Sequence, residues 1–310
     1  MAAAKPELDG TRLLAPDRRS IPLYLWEPQG QARGVIQILH GLGEHAGRYE
    51  RFARAAAARG YRVVAHDHRG HGPGARRRGH FAPAKGWTLL EIDALCVRDH
   101  IATLDPDLPV VLLGHSMGSY LAQYFAMHYG SRFAGLVLSG SGWPSRLRVV
   151  PGFVLAWLIR LTRGQVHNSS LLDTLGFGSM NRRFEPGRTA MDWLSRDEAE
   201  VDKYVADPLC GGPYTVGLWV DFLGGLLAVG SDTSLARIPA DLPILVTGGS
   251  DDPVGGEAGM GELMLRLAQT QHSRLTLKLY PDGRHEMLNE TNRDEVVRDW
   301  LDWIDRVTER

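Results

Sequence analysis

The feature that most constrains this chain is an apolar run that ends in a serine between two glycines. Residues 110–113 are branched and apolar, residues 114–118 read Gly-His-Ser-Met-Gly, and residues 120–129 favour a helix. A Gly-x-Ser-x-Gly turn between strand and helix is typical of a nucleophile elbow, which holds its serine in a strained conformation with the hydroxyl pointing out of the sheet. We expect the strand and helix to pass so close that the two glycines have no room for side chains. The alternative is an ordinary glycine-rich turn that contains Ser116.

Apolar strand patterns alternate with helical patterns on both sides of this motif. This alternation favours a parallel sheet with helices on both faces, an α/β fold. It breaks at Gly140 and resumes only at Pro243. We therefore assign 1–141 and 237–310 to the α/β core, and 142–236 to a helical cap inserted at the carboxyl edge of the sheet, where ligands bind in such folds. The predicted strands are 35–39, 62–65, 110–113, 134–138, 243–248 and 275–279, after an opening hairpin over 13–26; the predicted helices outside the cap are 49–59, 89–104, 120–129, 257–270 and 293–307.

Loops after two later strands offer the partners that a serine nucleophile needs. A serine hydroxyl requires a base within hydrogen-bond reach, and the base requires a carboxylate that orients it. Asp251 and Asp252 follow the strand 243–248, and His285 follows the next strand. The order serine, acid, histidine along the chain is the order expected for this elbow. We expect Asp252 to orient His285, because it immediately precedes a Pro-Val pair, and Asp251 to face the loop or solvent.

The loop after the strand 35–39 is suited to stabilise an oxyanion. It reads His-Gly-Leu-Gly over 40–43, and its glycines allow the backbone to approach the site closely. We expect the backbone N–H groups of Leu42 and Met117 to form the oxyanion hole. The alternative is a plain turn at the end of a strand.

A histidine-rich motif, His-Asp-His-Arg-Gly-His over 66–71, has a superficial metal-binding spacing. No second set of ligands is obvious downstream, so we predict a hydrogen-bonded loop in which Asp67, Arg69 and His71 brace the site, and no metal. The chain contains no phosphate-binding loop and no dinucleotide fingerprint, so no cofactor is expected.

Composition excludes several classes of function. The net charge of −1 and the pI of about 6.9 argue against nucleic-acid binding. The N-terminus lacks a secretory signal, and no apolar run approaches the length of a membrane span. The two cysteines lie far apart and read as free thiols, so a cytoplasmic location is predicted, with the oligomeric state left open. Three consecutive arginines, 76–78, are expected on the solvated surface.

Taken together, these motifs resemble the monoacylglycerol lipase and lysophospholipase branch of the α/β-hydrolases, from about residue 34 to the C-terminus. The motifs are those at 40–45 with Arg48-Tyr49, 67–72, 114–118, the Asp252 loop and 284–290; Asp207-Pro208-Leu209-Cys210-Gly211 in the cap also resembles bacterial members. The resemblance implies Ser116 as nucleophile, Asp252 as acid, His285 as base, and Leu42 and Met117 as oxyanion donors.

The resemblance also implies a polar pocket for the leaving group. In monoacylglycerol lipases, the equivalents of Glu44 and Arg48 form its glycerol side together with a histidine three residues beyond the base. Here that position is Leu288, which has no donor or acceptor. We therefore expect a substrate-binding role for these three positions with permissive leaving-group selectivity; alternatively, Glu44 and Arg48 simply pair with each other.

The sequence thus predicts a serine carboxylic-ester hydrolase that acts through an acyl-enzyme on lipid-like monoesters and on short acyl esters. The apolar run 149–159 reads either as a core helix of the cap or as a lid that lines an acyl tunnel or contacts a lipid surface. A serine peptidase or amidase of the same fold is the main alternative, and a non-catalytic ligand receptor is another. Hydrolases of this fold that place an aspartate at the elbow are disfavoured by Ser116.

Overall fold

A central eight-stranded sheet organises the part of the chain that the computed structural model describes, residues 8–309. Its strands are β1 Leu8–Leu14, β2 Ser20–Trp26, β3 Gly34–Leu39, β4 Tyr61–His66, β5 Val110–His115, β6 Gly135–Ser139, β7 Ile244–Gly249 and β8 Leu275–Tyr280. They lie in the order β1-β2-β4-β3-β5-β6-β7-β8. The pairs β1–β2 and β2–β4 are antiparallel and the others are parallel. The predicted mostly parallel sheet is confirmed.

Ten α-helices accompany the sheet within the described residues. They are α1 Glu50–Ala58, α2 Gly86–Leu104, α3 Met117–Tyr129, α4 Arg146–Arg163, α5 Ser170–Phe177, α6 Glu198–Ala206, α7 Val216–Val229, α8 Asp232–Leu235, α9 Gly256–Gln269 and α10 Arg293–Thr308. One face of the sheet packs on α1 and α10, and the other on α2, α3 and α9. Strands covered on both faces read as continuous apolar runs, and β3, β5, β6 and β7 are accordingly buried along their whole length.

The strand order reverses at β3, and this reversal locates the site. β3 has β4 on one side and β5 on the other, so the chain first moves outward in one direction and then in the opposite one. Loops that leave the carboxyl ends of two such strands diverge and open a crevice between them. The loop after β3 carries Leu42 and the turn after β5 carries Ser116, so the predicted oxyanion loop and elbow meet at this crevice.

The chain between β6 and β7, residues 140–243, contains α4 to α8 and is called here the β6–β7 segment. Arg76, Arg77 and Arg78 are exposed, as predicted, but two of them also bind this segment. Arg77 donates to the Val166 carbonyl at 2.8 Å, and Arg78 to the Cys210 carbonyl at 3.2 Å. None of the helices over residues 8–309 has both the length and the apolar character needed to cross a membrane.

Candidate active site

Ser116 lies in a strained turn between β5 and α3. Its backbone angles are φ 52° and ψ −121°, a region that residues with a side chain rarely adopt. The Ser116 N–H donates to the Ser139 carbonyl at 2.9 Å, and the Ser119 hydroxyl donates to the Ser116 carbonyl at 2.7 Å. Ser116 itself remains half-buried. Neighbouring groups therefore hold the strained backbone while the side chain stays accessible.

The two glycines beside Ser116 have no room for a side chain, as the sequence predicted. A Cβ on Gly114 would lie 2.3 Å from the Gly118 carbonyl oxygen. A Cβ on Gly118 would lie 2.1 Å from the Leu39 carbonyl oxygen at the end of β3. Both distances are far inside van der Waals contact, so the start of α3 sits directly against β3 and β5.

Asp252 and His285 are paired at the carboxyl ends of β7 and β8. Both side chains are buried, and His285 Nδ1 lies 2.9 and 3.0 Å from the two carboxylate oxygens of Asp252. This contact requires a proton on Nδ1, which leaves Nε2 as the proton acceptor. Asp251 points elsewhere and pairs with Arg183 at 2.5 Å. Of the two adjacent carboxylates, Asp252 is the one that the fold brings to His285.

The pKa of His285 is raised above its usual 6.5. Burial acts to lower this pKa, but the charge and hydrogen bond of Asp252, with further contributions from Glu286 and Glu44, outweigh burial. His115, directly before Ser116, behaves in the opposite way: its ring lies 4.8 Å from that of His285, and burial followed by repulsion from His285 lowers its pKa to about 4. His115 is therefore neutral near pH 7 and does not compete for the proton.

The backbone N–H groups of Leu42 and Met117 are free at the crevice. The N–H of Gly41 donates to Glu44 at 2.6 Å and that of Gly43 donates to His71 Nε2 at 3.2 Å. Between them, the N–H of Leu42 finds no acceptor in residues 8–309, and neither does that of Met117 at the start of α3. The loop also abuts the elbow, since a Cβ on Gly41 would lie 3.2 Å from the Ser116 Cβ. The two predicted oxyanion donors are thus both unpaired.

The histidine-rich motif braces this loop. Asp67 accepts from the Ala46 N–H at 2.8 Å and from the Tyr24 hydroxyl at 3.0 Å, while Arg69 pairs with Asp93 at 2.8 Å. With the contact from His71 to Gly43, these bonds match the predicted bracing role. His66 and His68 are fully buried, and both ring nitrogens of each lack a partner in the described chain.

Glu44 and Arg48 are paired in the structure, and a third residue joins them. Arg48 donates to Glu44 at 3.0 Å and to both carboxylate oxygens of Glu286 at 2.5 and 2.7 Å. Leu288, also predicted to bind substrate, is half-buried and lines a small cavity of about 20 Å³ together with these three side chains and His115. The three predicted positions therefore lie together, and the Arg48 guanidinium is already neutralised by two carboxylates.

The β6–β7 segment contributes contacts to the His285 loop that the sequence did not reveal. The N–H groups of His285 and Glu286 donate to the carbonyls of Trp193 and Leu194, at 3.4 and 2.8 Å. The Trp193 ring lies 5.0 Å from the His285 ring. Backbone contacts of this kind leave no pattern in the side-chain types, so nothing in the sequence indicated them.

Comparison with known families places these motifs in one family. A sequence profile described as serine aminopeptidase, S33, matches residues 30–292. The human monoglyceride lipase is 32% identical to the chain over 285 residues, which cover 92% of the chain and 86% of that protein. The monoacylglycerol lipase of Mycolicibacterium smegmatis is 29% identical over 283 residues, which cover 90% of the chain and 91% of that protein.

Solved structures agree with the sequence comparison. A highly thermostable carboxyl esterase from Bacillus coagulans, solved in complex with glycerol, superposes with a TM-score of 0.89 and 27% identity, over 96% of this chain and 98% of the esterase. A soluble variant of the Saccharomyces cerevisiae monoglyceride lipase, with a substrate analogue, superposes with a TM-score of 0.74 at 20% identity, over 99% and 96% of the two chains, which shows the fold.

Proposed function

The chain belongs to the serine aminopeptidase S33 family of α/β-hydrolases, in its monoacylglycerol lipase-like branch, and we propose that it hydrolyses lipid-like monoesters through a serine-bound acyl intermediate. Carboxylic-ester hydrolysis is the activity that the relatives share by name. The acyl-enzyme mechanism rests above all on the buried Asp252–His285 pair, whose imidazole lies 4.8 Å from the ring of His115, the residue directly before the strained Ser116. The substrate class rests on the β6–β7 segment.

In the first half of the reaction, His285 Nε2 takes the proton from the Ser116 hydroxyl as its oxygen attacks the ester carbonyl carbon. Asp252 accepts a hydrogen bond from Nδ1–H and stabilises the imidazolium that forms. The carbonyl oxygen becomes negative and accepts hydrogen bonds from the N–H groups of Leu42 and Met117, which have no other acceptor to release first. His285 then donates its proton to the alcohol oxygen, the C–O bond breaks, and the acyl group stays on Ser116.

In the second half, water replaces the alcohol. His285 Nε2 accepts a proton from the water molecule whose oxygen attacks the acyl carbon, and the same two N–H groups stabilise the second oxyanion. The Ser116 oxygen leaves with the proton from His285, which restores the free enzyme and releases a carboxylic acid. No metal or cofactor is needed at any step.

The β6–β7 segment acts in this proposal as a cap that binds the acyl chain. It contacts the His285 loop directly through Trp193 and Leu194. Ala156 of α4 is buried in the apolar core, and Phe153, Leu155 and Ile159 are half-buried against that core; Val149 is buried as well. This inner side of α4 supports an apolar acyl pocket.

The outer side of α4 supports contact with a lipid surface. Six large apolar side chains on this helix are exposed at a spacing that places them along one stripe, with Leu147 89% and Leu161 61% exposed: Leu147, Val150, Val154, Trp157, Leu158 and Leu161. Arg146, Arg148, Arg160 and Arg163 lie on the same helix. An exposed apolar stripe with basic side chains is typical of helices that rest in the interface of a membrane containing anionic lipids. The two readings of the run 149–159 thus apply to opposite sides of one helix.

A substrate panel and active-site labelling test the proposal together. The panel contains monoacylglycerols, lysophosphatidylcholine, p-nitrophenyl esters and aminoacyl amides of matched length. We expect hydrolysis of the monoesters and a fluorophosphonate adduct on Ser116 by peptide mapping. An adduct on another residue, or turnover of lipid monoesters no faster than that of acetate esters, would contradict the proposal.

Membrane contact has its own test, because it can fail while the chemistry holds. Leu158→Glu with Leu161→Glu should reduce cosedimentation with vesicles that contain anionic lipid and reduce hydrolysis of vesicle-bound substrate. Hydrolysis of a soluble ester should be unchanged. Leu265→Glu is the matched control, since Leu265 is 52% exposed on α9. Equal vesicle binding by all variants would show that α4 does not contact the membrane.

Amide hydrolysis is the second candidate function. It is supported by the family profile, which is described as a serine aminopeptidase. The same triad can acylate from an amide if His285 protonates the leaving amine. The aminoacyl amides of the panel decide: a higher kcat/KM for them than for the matched esters would make the protein a peptidase.

A further inference from the structure

Three potential metal ligands meet where the loop after β3 touches the β6–β7 segment. Donor atoms of His45, Asp207 and Cys210 all lie within 4.8 Å of one another, and His45 Nε2 is 2.9 Å from the Asp207 carboxylate. We propose that these three residues bind a divalent metal ion of borderline softness, with Zn²⁺ the best match. An imidazole, a carboxylate and a thiolate together are a ligand set that zinc prefers and that Ca²⁺ or Mg²⁺ does not.

The distances suit a tetrahedral site after a small movement. Zinc bonds of about 2.0–2.3 Å place neighbouring donor atoms about 3.2–3.8 Å apart. The imidazole and carboxylate are already closer than that, so they need only separate slightly around an ion. No donor pair exceeds the tetrahedral range by more than about 1 Å, which rotation of the Cys210 side chain can supply.

The backbone around two of the ligands is fixed in advance. The Cys210 N–H donates to the Asp207 carbonyl at 3.0 Å, and the Leu209 N–H donates to Asp207 Oδ1 at 2.8 Å. This turn leaves Oδ2 free to face His45. It is docked on the loop that carries His45, because the Gly211 N–H donates to the Gly43 carbonyl at 2.8 Å. Both parts of the site are therefore held together before an ion arrives.

Nearby carboxylates and solvent access allow a cation here. The carboxylates of Asp207, Glu44 and Glu286 face the Cys210 thiol together with the guanidinium of Arg48, and the Arg78 guanidinium donates to the Cys210 carbonyl at 3.2 Å. Arg48 is already paired with Glu44 and Glu286, which neutralises its charge. An open groove of about 500 Å³ is lined by His45 and Asp207 and also by basic side chains such as Arg51 and Lys203. It provides a path from solvent and room for a water as fourth ligand.

Binding has a defined proton balance and a structural consequence. Cys210 binds as the thiolate and releases its proton to solvent; His45 binds as the neutral imidazole through Nε2, with its proton on Nδ1. The ion then joins the loop that contains Leu42 to the β6–β7 segment. We expect it to stabilise the folded chain, because the ligands come together only on folding.

The test uses the full-length, metal-free protein. Zn²⁺ is titrated against a chromophoric chelator, and Co²⁺ is added separately to detect the thiolate-to-cobalt absorption band. We expect one ion per chain, the band, and a higher Tm with Zn²⁺. Cys210→Ser should remove the band and weaken Zn²⁺ binding by at least about 100-fold, the upper end of what loss of an outer-shell partner costs.

Cys96→Ser is the matched control, because Cys96 is the other free thiol, half-buried on α2. It should bind Zn²⁺ as the wild type does. Asp207→Asn should weaken binding by about 10–100-fold and keeps the test valid if Cys210→Ser misfolds, which circular dichroism of the metal-free variants checks. Wild-type affinity in Cys210→Ser and Asp207→Asn, loss of binding in Cys96→Ser, or no stoichiometric binding at all would overturn the proposal.

Discussion

The carboxyl edge of the sheet and the β6–β7 segment differ in what they leave without a partner: the edge pairs its polar groups, whereas the segment exposes apolar side chains. At the sheet edge, the polar groups that position the site have specific partners, such as Asp252 for His285 and Glu44 for the Gly41 N–H. In the segment, α4 exposes a stripe of apolar side chains that only another apolar surface can cover. Catalysis at the sheet edge depends on fixed geometry, whereas substrate selectivity in the segment depends on the apolar surface area available for contact. Changes at the sheet edge should therefore have large effects and changes in substrate contacts graded ones.

The largest effect should come from removing the proposed nucleophile. Ser116→Ala should lower turnover on the order of 10⁶-fold, the loss seen when a serine hydrolase loses its nucleophile. The fold should persist, because the turn is held by backbone contacts and by the neighbouring glycines. Steady-state kinetics with circular dichroism measure both. Substantial turnover by a folded Ser116→Ala variant would show that Ser116 is not the nucleophile.

The two adjacent carboxylates should differ sharply. Asp252→Asn should lower turnover by roughly 10⁴-fold, because an amide favours the wrong tautomer of His285. Asp251→Asn is the matched control, and it should cost far less because Asp251 pairs with Arg183 at the surface. A kinetic comparison that ranks the two variants the other way would refute the choice of acid.

The next effect concerns stability in acid. Burial, followed by repulsion from Arg19, lowers the pKa of His66 to about 3, so the folded state keeps this residue neutral while an unfolded chain protonates it below about 6.5. Its contribution to stability is therefore complete well above pH 6.5 and declines as the pH falls towards 3. Between about pH 7.5 and about pH 5 the wild type should lose about 2 kcal/mol more than His66→Leu.

Urea unfolding at the two pH values measures this difference. His167→Leu is the control, since His167 is exposed and its replacement should leave the pH dependence unchanged. Identical pH dependence in His66→Leu and the wild type would mean that other groups carry the acid sensitivity of the sheet edge.

Leu288 should make the leaving-group side permissive. A polar pocket rejects substrates that leave its own groups unpaired, whereas leucine discriminates weakly. A monoacylglycerol and a simple alkyl ester of the same acyl chain should differ by less than about 1.5 kcal/mol, roughly tenfold in kcat/KM. Leu288→His should shift the ratio towards the monoacylglycerol. If the wild type already prefers the monoacylglycerol a thousandfold, a different residue recognises the glycerol.

The smallest expected effect is the change in kcat/KM for each methylene added to the acyl chain. Each methylene buried in the cap contributes about 0.8 kcal/mol, so kcat/KM should rise about fourfold per CH₂ until the pocket is full. p-Nitrophenyl esters from acetate to decanoate measure this slope. If kcat/KM does not change with acyl length, the β6–β7 segment does not bind the acyl chain, and the protein is a hydrolase of small esters.

The elements of the sheet were predictable because their signals are local. The apolar run before Ser116 and the glycines beside it predict the strand, the turn and the close packing, and the observed β5 and α3 match them. The order of the loops also follows from the chain alone. What side chains do across the fold does not: nothing near Arg48 in the sequence indicates that Glu286 would bind it, 238 residues away.

The metal site proposed above illustrates the same limit. Within the sequence, ligand spacing points only to residues 66–71, whose histidine side chains are buried. His45 and Asp207 are 162 residues apart, and only the docking of the segment on the β3 loop brings them together. Spacing rules detect sites built on one turn or helix, and they miss sites assembled between distant parts of a fold.

Joining β6 to β7 through a long excursion has a consequence for how the chain folds. These strands are paired in parallel, Leu136 opposite Ile244, although the whole β6–β7 segment lies between them. Closing a loop on the order of 100 residues costs about 2 kcal/mol more conformational entropy than closing one of about 10. We expect this pairing to form after the local β3–β5 contacts, so Asp252 and His285 reach Ser116 only in the final stage of folding. A nascent chain would thus form the turn that carries Ser116 early and complete its catalytic residues last.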